Sequence, residues 1–550
     1  MTQSDDADAV RGENPAASPQ VPYDEPPPTP ERSPARHGIS ADTGLRLRLR
    51  DGVQVAYDVF RPDALGQRFP ALIAWSPYGR QLQRTDVPIP QNEAGITEFW
   101  VPRGYAHVIA DARGSNDSEG DWDLMGPVEQ RDLVELIEHV AGQSWCNGRV
   151  GMAGCSYFGV SQYLAAQQQP PSLRAIFPHD AFTDQYRECF FHGGIPAEGF
   201  QRDWSSAVSI LSMWSGRRSE ISGMQRHFNR ILGLEEPFDG PYYQERSAWP
   251  DLERIQVPGY YGTNWRYTDL HLRGAFQAYG SAGDPRRRLL LGPLPSVRRP
   301  FATYHVEALR WYDQWLKDLD TGVMDGDPIR IWVQGEERWR GEPEWPLART
   351  RWTELFLAGR ETGREGILDT TPGHPGARTY HYDPSDERAW VGGEPRLVYR
   401  TPPLEADLEV TGPMVLTLWA TISAVDSDWL IWVCDEAADG TRDILTKGWL
   451  RGSHRALDLE RSLPYRPWHP HTRKAAGEVE AGRPTEYLIE VLPTSNLFRT
   501  GHRLRLEVAS CDPIPLLGRW ANRGRLLAST NTVHEGRDHP SRLLVPVVPR

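Results

Sequence analysis

GMAGCSYFGV, residues 151–160, combines the end of an apolar run, a glycine-flanked serine and the start of a helix-like run. A run of small and β-branched residues, RVGMAG, leads into it, and a helix-like run, VSQYLAAQQQ, follows. This order predicts a strand, a sharp turn and a helix, with Ser156 at the turn. Small residues flank the serine because such an elbow leaves no room for side chains, and it presents the hydroxyl as a nucleophile. An ordinary turn between a strand and a helix is the alternative, since glycine and serine also mark plain turns.

The sequence around this turn alternates between short apolar runs and helix-like segments. FPALIAW, YAHVIAD, LRAIFPHD and RRLLLGP have the length of buried strands, whereas EQRDLVELIEHVAGQ and EALRWYDQWLKDL have helical spacing. Strands that alternate with helices predict a mostly parallel, doubly wound sheet covered on both faces. Between about residues 182 and 252 the sequence is irregular and richer in aromatic residues, which favours a helical insertion lying over the sheet.

The two ends of the chain differ from this middle part. Residues 1–39 are rich in proline and acidic residues with little to bury, which predicts a disordered leader. The alternating run LRLRLRDGVQVAYDVFRP then predicts a β-hairpin around a DG turn. After about residue 326 the helical periodicity fades, and strand-length runs such as IRIWVQG and HRLRLEVAS predict an antiparallel sandwich.

Composition argues against several classes of function. The 550 residues carry a net charge of -13, so the surface lacks the positive field that holds nucleic acid or anionic membranes. No apolar run is long enough to cross a membrane, and the acidic N-terminus has no signal-peptide pattern, which predicts a soluble, cytoplasmic protein. The five cysteines are scattered without CxxC pairs, and the sequence has neither HExxH nor a Gly-rich phosphate loop. We therefore expect no metal and no other cofactor.

Longer stretches resemble one known family. They begin with SPYGR and DARGSNDSEGDWDLMG, continue through GCSYFG and WYDQWLKD, and end with NLFRTGHRLRLEVAS and HPSRLLVPVV. This set is similar to the family that contains cocaine esterase, α-amino-acid ester hydrolases and X-Pro dipeptidyl-peptidases, and the resemblance covers nearly all of residues 41–550. It implies an α/β-hydrolase domain over residues 40–325, with a helical cap near 182–252, and a C-terminal all-β jelly-roll sandwich over 326–550.

The resemblance also implies roles for residues of this chain. Ser156 matches the family's nucleophile, while the Tyr78 hydroxyl and the Tyr157 backbone N–H would hold the oxyanion. The family's catalytic acid lies in a motif like GGWYD, where GTNWRY puts Tyr267 at the acid position. Its histidine lies in a motif like GPWxH, where GPLPS puts Ser296 at the histidine position. Both proton-handling residues of the family are therefore replaced, although a serine hydroxyl is a weak nucleophile without a base.

Three histidines are candidates for a relocated base, and His305 is preferred among them. His305 precedes the closing helix on the connection that carries the family's base, and a helix N-terminus favours its neutral form. His179 ends the run LRAIFPHD, and His271 follows Tyr267 by four residues. Asp269 could orient such a base. Each residue also fits a structural role, as a helix cap or packed ring for the histidines and as a solvated loop carboxylate for Asp269.

Two classes of function follow from this pattern. In the first, Ser156 attacks a small ester, thioester or amide, and the chain hydrolyses or transfers the acyl group. In the second, the protein catalyses a non-hydrolytic step such as a cyclisation or rearrangement in specialised metabolism, or it only binds a small molecule. In both, the partner is a small molecule, no cofactor takes part, and Tyr267, Ser296 and His179 are expected to line the substrate pocket.

Overall fold

The computed structural model describes residues 33–214, 226–230, 235–293, 301, 303–359, 365–386, 396–512, 522 and 527–550. Most of the predicted leader, residues 1–32, lies outside the described residues, as does Ser296. Ser33, at the end of the leader, is buried and donates a hydrogen bond to Asp313 over 2.7 Å. Among the described residues, no helix is both long and apolar enough to span a membrane.

The first sheet has ten strands in the described part of the chain. The strands of this region are β1 (Ile39–Arg48), β2 (Gln54–Pro62), β3 (Phe69–Ser76), β4 (Ala106–Asp111), β5 (Cys146–Met152), β6 (Leu173–Ile176), β7 (Phe191–His192), β8 (Ile195–Pro196), β9 (Gly259–Asn264), β10 (Arg287–Gly292), β11 (Ile329–Val333) and β12 (Arg338–Glu342). The order across the sheet is β1-β2-β4-β3-β5-β6-β9-β10-β11-β12, while β7 and β8 pair only with each other. The pairs β1–β2, β2–β4 and β11–β12 are antiparallel, and the remaining pairs are parallel.

Helices cover both faces of this sheet. The α-helices are α1 (Thr97–Trp100), α2 (Pro127–Ala141), α3 (Tyr157–Gln167), α4 (Glu198–Trp214), α5 (Pro241–Gln244), α6 (Leu272–Ser281) and α7 (His305–Leu316). Successive strand residues point to opposite faces. On β6, Ile176 therefore joins the core beneath α2 and α3, whereas Ala175 packs with Leu309 and Trp311 of α7.

The segment between β6 and β9 forms the predicted helical insertion. It contains α4, α5, a short π-helix at Gln185–Phe190 and a 3-10 helix at Trp249–Arg254. The insertion reaches the end of the parallel sheet, because Trp204 of α4 touches Tyr78, just beyond β3. It therefore covers the edge at which the strand-to-helix turn of Ser156 lies.

The second sheet has eleven strands in the described part of the chain. They are β13 (Arg351–Ala358), β14 (Glu365–Asp369), β15 (Gly376–Tyr382), β16 (Leu397–Arg400), β17 (Leu408–Ile422), β18 (Asp428–Glu436), β19 (Arg442–Arg451), β20 (Thr485–Phe498), β21 (Arg503–Ala509), β22 (Ser529–Glu535) and β23 (Arg542–Val548). Nearly all its pairs are antiparallel, and β17 pairs with both β20 and β23, so the sheet folds over a core of its own. The two sheets confirm the predicted fold class of an α/β domain followed by an all-β sandwich.

The run IRIWVQG differs from its predicted place. We predicted a strand of the sandwich, but β11 pairs in parallel with β10, with Leu289 opposite Ile329, and so extends the first sheet. α7 supplies the crossover that a parallel connection needs. Alternate residues of β11 face opposite sides, and Ile329, Ile331 and Trp332 are all buried, as expected of a strand covered on both faces.

Glu129 of α2 joins several elements beneath the turn of Ser156. Its carboxylate accepts hydrogen bonds from Trp75 Nε1 of β3 over 2.9 Å, from the Tyr157 hydroxyl over 2.8 Å and from the Met125 backbone N–H over 2.9 Å. The side chain is buried, and burial raises its pKa from 4.5 to about 7. The folded protein therefore holds the proton of Glu129 more tightly than the unfolded chain does.

This shift predicts a pH-dependent contribution to stability. The stabilisation from protonated Glu129 is fully present below pH 4.5 and is lost as the pH rises through about 7. In Glu129→Gln the amide cannot ionise. We expect the free energy of unfolding of wild type, relative to that of the variant, to fall by about 2 kcal/mol between pH 5 and pH 8. Urea titrations of both proteins at the two pH values measure this difference, and a difference that stays constant would contradict the expectation.

Candidate active site

Ser156 occupies the sharp turn that the sequence predicts, between β5 and α3. Its backbone has φ 57° and ψ -121°, a strained conformation for a residue with a side chain, of the kind that clusters at functional sites. Its N–H donates to the carbonyls of His179 over 3.1 Å and Asp180 over 2.9 Å, which fixes the turn against the segment after β6. The serine side chain is only partly buried, so its hydroxyl is available to a ligand.

The two glycines of the turn are required by close approach. Gly154 has φ 113°, and a Cβ there would lie 2.5 Å from Phe158 Cβ. A Cβ at Gly159 would lie 2.8 Å from Ala181 Cβ and 2.9 Å from the His179 carbonyl oxygen. The spacing GCSYFG is therefore the one that lets α3 begin directly after the serine and still pack on the segment after β6.

Ser156 is one of the residues that line a pocket at this edge of the sheet. The pocket is lined by Tyr78, Leu124, Met125, Ser156, Tyr157, Phe182, Gln185, Cys189, Phe190, Phe200, Trp204 and Leu270. Among the described residues, no side chain with a formal charge contributes to this lining. The pocket therefore suits an apolar, uncharged group next to the serine hydroxyl.

Tyr78 lies beside Ser156 and is held from two sides. Trp204 Nε1 donates to the Tyr78 hydroxyl oxygen over 2.9 Å, and Tyr78 lines the same pocket as Ser156. The ring packs edge-on against Tyr157 and Phe158, with ring centroids 5.8 and 6.0 Å apart. Burial and the carboxylate of nearby Glu93 raise the pKa of Tyr78 well above its ordinary value. The hydroxyl is thus a protonated donor, and because it accepts from Trp204, its own hydrogen can point to Ser156 or to an oxyanion.

Tyr157 is the first residue of α3, directly after Ser156. Backbone N–H groups in the first turn of a helix have no partner within the helix, so the Tyr157 N–H can bind an anionic oxygen. Its hydroxyl donates to Glu129 over 2.8 Å and accepts from Trp122 Nε1 over 3.3 Å. These contacts anchor the ring and with it the start of the helix.

The residues at the acid position are engaged elsewhere. Tyr267, after β9, is partly buried and packs edge-on against His271 with ring centroids 5.4 Å apart. Asp269 forms an ion pair with Lys447 of β19, at 2.9 and 3.0 Å, and accepts a hydrogen bond from Thr268 Oγ1 over 2.9 Å. Asp269 therefore links the loop after β9 to the sandwich, and Ser296 lies outside the described residues.

The three candidate histidines lie in different surroundings. His305 is buried among Phe99, Trp100 and Phe301, with ring centroids 4.7, 5.4 and 5.9 Å away, and burial lowers its pKa to about 3. His271 stacks on Phe182, a residue of the pocket wall, with ring centroids 6.4 Å apart. Neither ring is among the groups that line the pocket.

His179 is the candidate that contacts Ser156. Its carbonyl oxygen accepts from the Ser156 N–H, and its Nε2 lies 3.6 Å from Asp180 Oδ1. The ring stacks on Phe301 and lies near Tyr304, with ring centroids 5.8 and 5.0 Å away. Both aromatic residues belong to the connection between β10 and α7, the connection that carries the base in the family pattern. Asp180 is itself oriented by Thr263 Oγ1, which donates to it over 2.8 Å.

The structure thus places Ser156, Tyr78 and Tyr157 in one pocket lining and binds the His179 carbonyl to the Ser156 N–H. The described lining contains neither Tyr267 nor His179, which were expected there, and neither His305 nor Asp269. Three further residues of the site are absent from the sequence-based candidates: Trp204, Gln185 and Glu129. The first two lie in the irregular aromatic segment, where no motif marks them. Glu129 stands near the start of a helix, where a carboxylate is common for electrostatic reasons alone.

Comparison with known proteins agrees with this architecture. Residues 51–295 match the model of the X-Pro dipeptidyl-peptidase (S15 family), and residues 321–544 match that of the X-Pro dipeptidyl-peptidase C-terminal non-catalytic domain. Cocaine esterase from Rhodococcus sp. is 27% identical, over 93% of this chain and 99% of that protein.

Solved structures share the fold. A CocE/NonD family hydrolase from Staphylococcus aureus superimposes with a TM-score of 0.79 and 24% identity, over 93% of this chain and 94% of that chain. An α-amino acid ester hydrolase does so with a TM-score of 0.72 and 18% identity, over 96% and 100% of the two chains. Both halves of the chain match the family's models in order, in agreement with the sequence motifs. The protein therefore belongs to the X-Pro dipeptidyl-peptidase (S15) family of hydrolases.

Proposed function

We propose that the protein hydrolyses a small uncharged ester through a covalent acyl intermediate on Ser156. The observation that carries the proposal is that Ser156, Tyr78 and Tyr157 line one apolar pocket. A nucleophile, an oxyanion donor and a wall for the acyl group are thereby found in one place. The resemblance to cocaine esterase over nearly the whole chain supports the same class of reaction.

The reaction divides into two steps. Ser156 Oγ attacks the carbonyl carbon, its proton passes to a base, and the carbonyl oxygen becomes an oxyanion that the Tyr78 hydroxyl and the Tyr157 N–H stabilise. The tetrahedral intermediate expels the alcohol, which takes the proton. Water then attacks the acyl-serine by the same route in reverse and releases the acid. An amine or alcohol in place of water would give acyl transfer.

His179 is our proposed base. It is the candidate whose backbone contacts Ser156, its ring lies beside the carboxylate of Asp180, and it packs on the connection that carries the base in the family pattern. His305 is a poor base, because burial lowers its pKa to about 3. This assignment replaces the acid and histidine of the family pattern by the adjacent pair His179 and Asp180.

The first prediction concerns Ser156 itself. Incubation with a fluorophosphonate probe at pH 8 should label wild type with one equivalent, because the probe phosphonylates an activated serine. Ser156→Ala should remain unlabelled. Ser161→Ala is the matched control, since Ser161 lies on the same helix with its hydroxyl bonded to the Phe158 carbonyl, and it should label like wild type. Intact-mass analysis gives the readout. Wild type that stays unlabelled for hours, or label that persists in Ser156→Ala, would contradict the proposal.

The second prediction concerns Trp204, which positions the Tyr78 hydroxyl. Trp204→Phe keeps an aromatic ring but removes the N–H, so we expect kcat for an aryl ester to fall by about 10-fold with a smaller change in KM, less than the loss of a whole oxyanion donor. Tyr78→Phe should cost about 10²-fold or more. Trp249→Phe is the control, because Trp249 lies outside the pocket lining and its indole N–H has no partner among the described residues. Equal kcat losses in Trp204→Phe and Trp249→Phe would contradict the positioning role.

The third prediction ranks the histidines. His179→Asn should lower kcat by at least about 10²-fold, the usual contribution of a general base, whereas His271→Asn and His305→Asn should lower it far less. The rising limb of the pH profile of kcat/KM should disappear in His179→Asn alone. Circular dichroism of each variant separates loss of the base from loss of the fold. A fully active, folded His179→Asn protein would exclude His179 as the base and leave the role of Ser156 standing.

A further inference from the structure

Gln185 is the one residue of the pocket lining that carries a carboxamide. It is the first residue of the π-helix Gln185–Phe190, and its side chain is fully buried. The backbone is fixed, since the Gln185 N–H donates to Ser247 Oγ over 2.9 Å and Asp184 caps the turn by accepting from the Arg187 N–H over 3.0 Å. The position from which the carboxamide projects is therefore rigid.

The orientation of the carboxamide follows from its neighbour Met125. Gln185 Nε2 lies 3.4 Å from Met125 Sδ. A thioether sulfur accepts hydrogen bonds but donates none, so the N–H end of the amide must face it and the carbonyl end must face away. Met125 is itself held in place, because its N–H donates to Glu129 and its carbonyl accepts from Gln130 Nε2 over 2.9 Å.

The carbonyl oxygen of Gln185 has no hydrogen-bond partner among the described residues. A buried carbonyl without a donor is unfavourable, and most such groups in native proteins are satisfied. The neighbouring lining residues Phe182, Phe190, Phe200 and Leu270 offer no polar hydrogen. Because Gln185 lines the pocket, a molecule bound there can supply the donor that this oxygen lacks.

We infer that the acyl group of the substrate carries a hydrogen-bond donor, a hydroxyl or an amide N–H, which the Gln185 carbonyl oxygen accepts. This inference rests on the proposed function, since it assigns the pocket beside Ser156 to the acyl group. The donor is uncharged, because no carboxylate in the described lining would pair with an ammonium group. The substrate class is thus the ester of a hydroxylated or amide-bearing aromatic or aliphatic acid.

Paired esters test the inference. Each of the three positional isomers of 4-nitrophenyl hydroxybenzoate is compared with its methoxy counterpart, which keeps an oxygen but lacks the donor. In wild type, we expect kcat/KM for at least one hydroxyl isomer to exceed that of its methoxy counterpart by about 10-fold or more, because a site built to bond a hydroxyl rejects an analogue without it. Gln185→Met keeps the length of the side chain and removes the acceptor, so the ratio should fall to about one.

Cys189→Ala is the matched control. Cys189 lines the same pocket, and its removal widens the pocket without changing the acceptor, so the hydroxyl-to-methoxy ratio should persist even if both rates change. A ratio near one for every isomer in wild type, or a preference that survives in Gln185→Met, would overturn the inference while the acyl chemistry stands.

A binding measurement covers the case in which no aryl ester is turned over. Calorimetric titration of Ser156→Ala with the hydroxybenzamides and the methoxybenzamides should give the same preference, and the double variant Ser156→Ala/Gln185→Met should lose it. Absence of turnover together with this preference would count against the proposed hydrolysis and support the role of Gln185. Equal binding of both series would overturn that role.

Discussion

The site depends on one backbone feature, the positive φ of Ser156. Only residues 153–156 separate the end of β5 from the start of α3, and with Ser156 at φ 57° its N–H donates to the carbonyls of His179 and Asp180. The side chain is thereby pushed out of the sheet edge toward the pocket. Gly154 and Gly159 permit the close approach that this turn needs, and Glu129 binds the first residue of the helix from below. Strain at the serine is thus balanced by contacts of its neighbours, which is how strained functional residues persist.

The sandwich domain takes part in shaping the same site. Lys447 forms an ion pair with Asp269, which lies on the loop after β9. The next residue of that loop, Leu270, lines the pocket. Arg187, two residues from Gln185, is buried and donates to the carbonyls of His469 and Pro470 over 3.0 Å, while it also pairs with Asp184 and Asp239. The pocket wall is therefore fixed to the second domain by charge-assisted hydrogen bonds in a buried environment, where such contacts are strong when fully paired.

Some features of the fold and the site could be predicted from the sequence, and others could not. The elbow was predictable because GMAGCSYFGV combines an apolar strand, the necessary glycines and a helix, all within ten residues. Trp204 and Gln185 were not, because their roles arise from contacts with Tyr78 and Met125, which are distant in sequence, and the segment that holds them has no regular period. The run IRIWVQG was recognisable as a strand, but an apolar strand of this length fits either sheet, and only its pairing with β10 decides between them.

The base that accepts the proton of Ser156 likewise could not be identified from the sequence alone. Sequence reasoning favoured His305 over His179 and His271, whereas in the structure it is the His179 backbone that contacts Ser156. The positions that match the family's nucleophile and oxyanion donors, Ser156, Tyr78 and Tyr157, line one pocket. The proposed base, His179, has its Nε2 3.6 Å from Asp180 Oδ1. In the proposed mechanism Ser156 carries the covalent acyl group, and that group occupies the adjacent pocket.

The most direct test of this claim is to look for the acyl group on the protein. Wild type is mixed with 4-nitrophenyl benzoate, quenched in acid within the first turnovers, digested with trypsin and analysed by tandem mass spectrometry. We expect a benzoyl group on the tryptic peptide of residues 150–174, with fragment ions that place it on Ser156. Release of nitrophenol with no acyl group on that serine, or an acyl group on another residue, would contradict it.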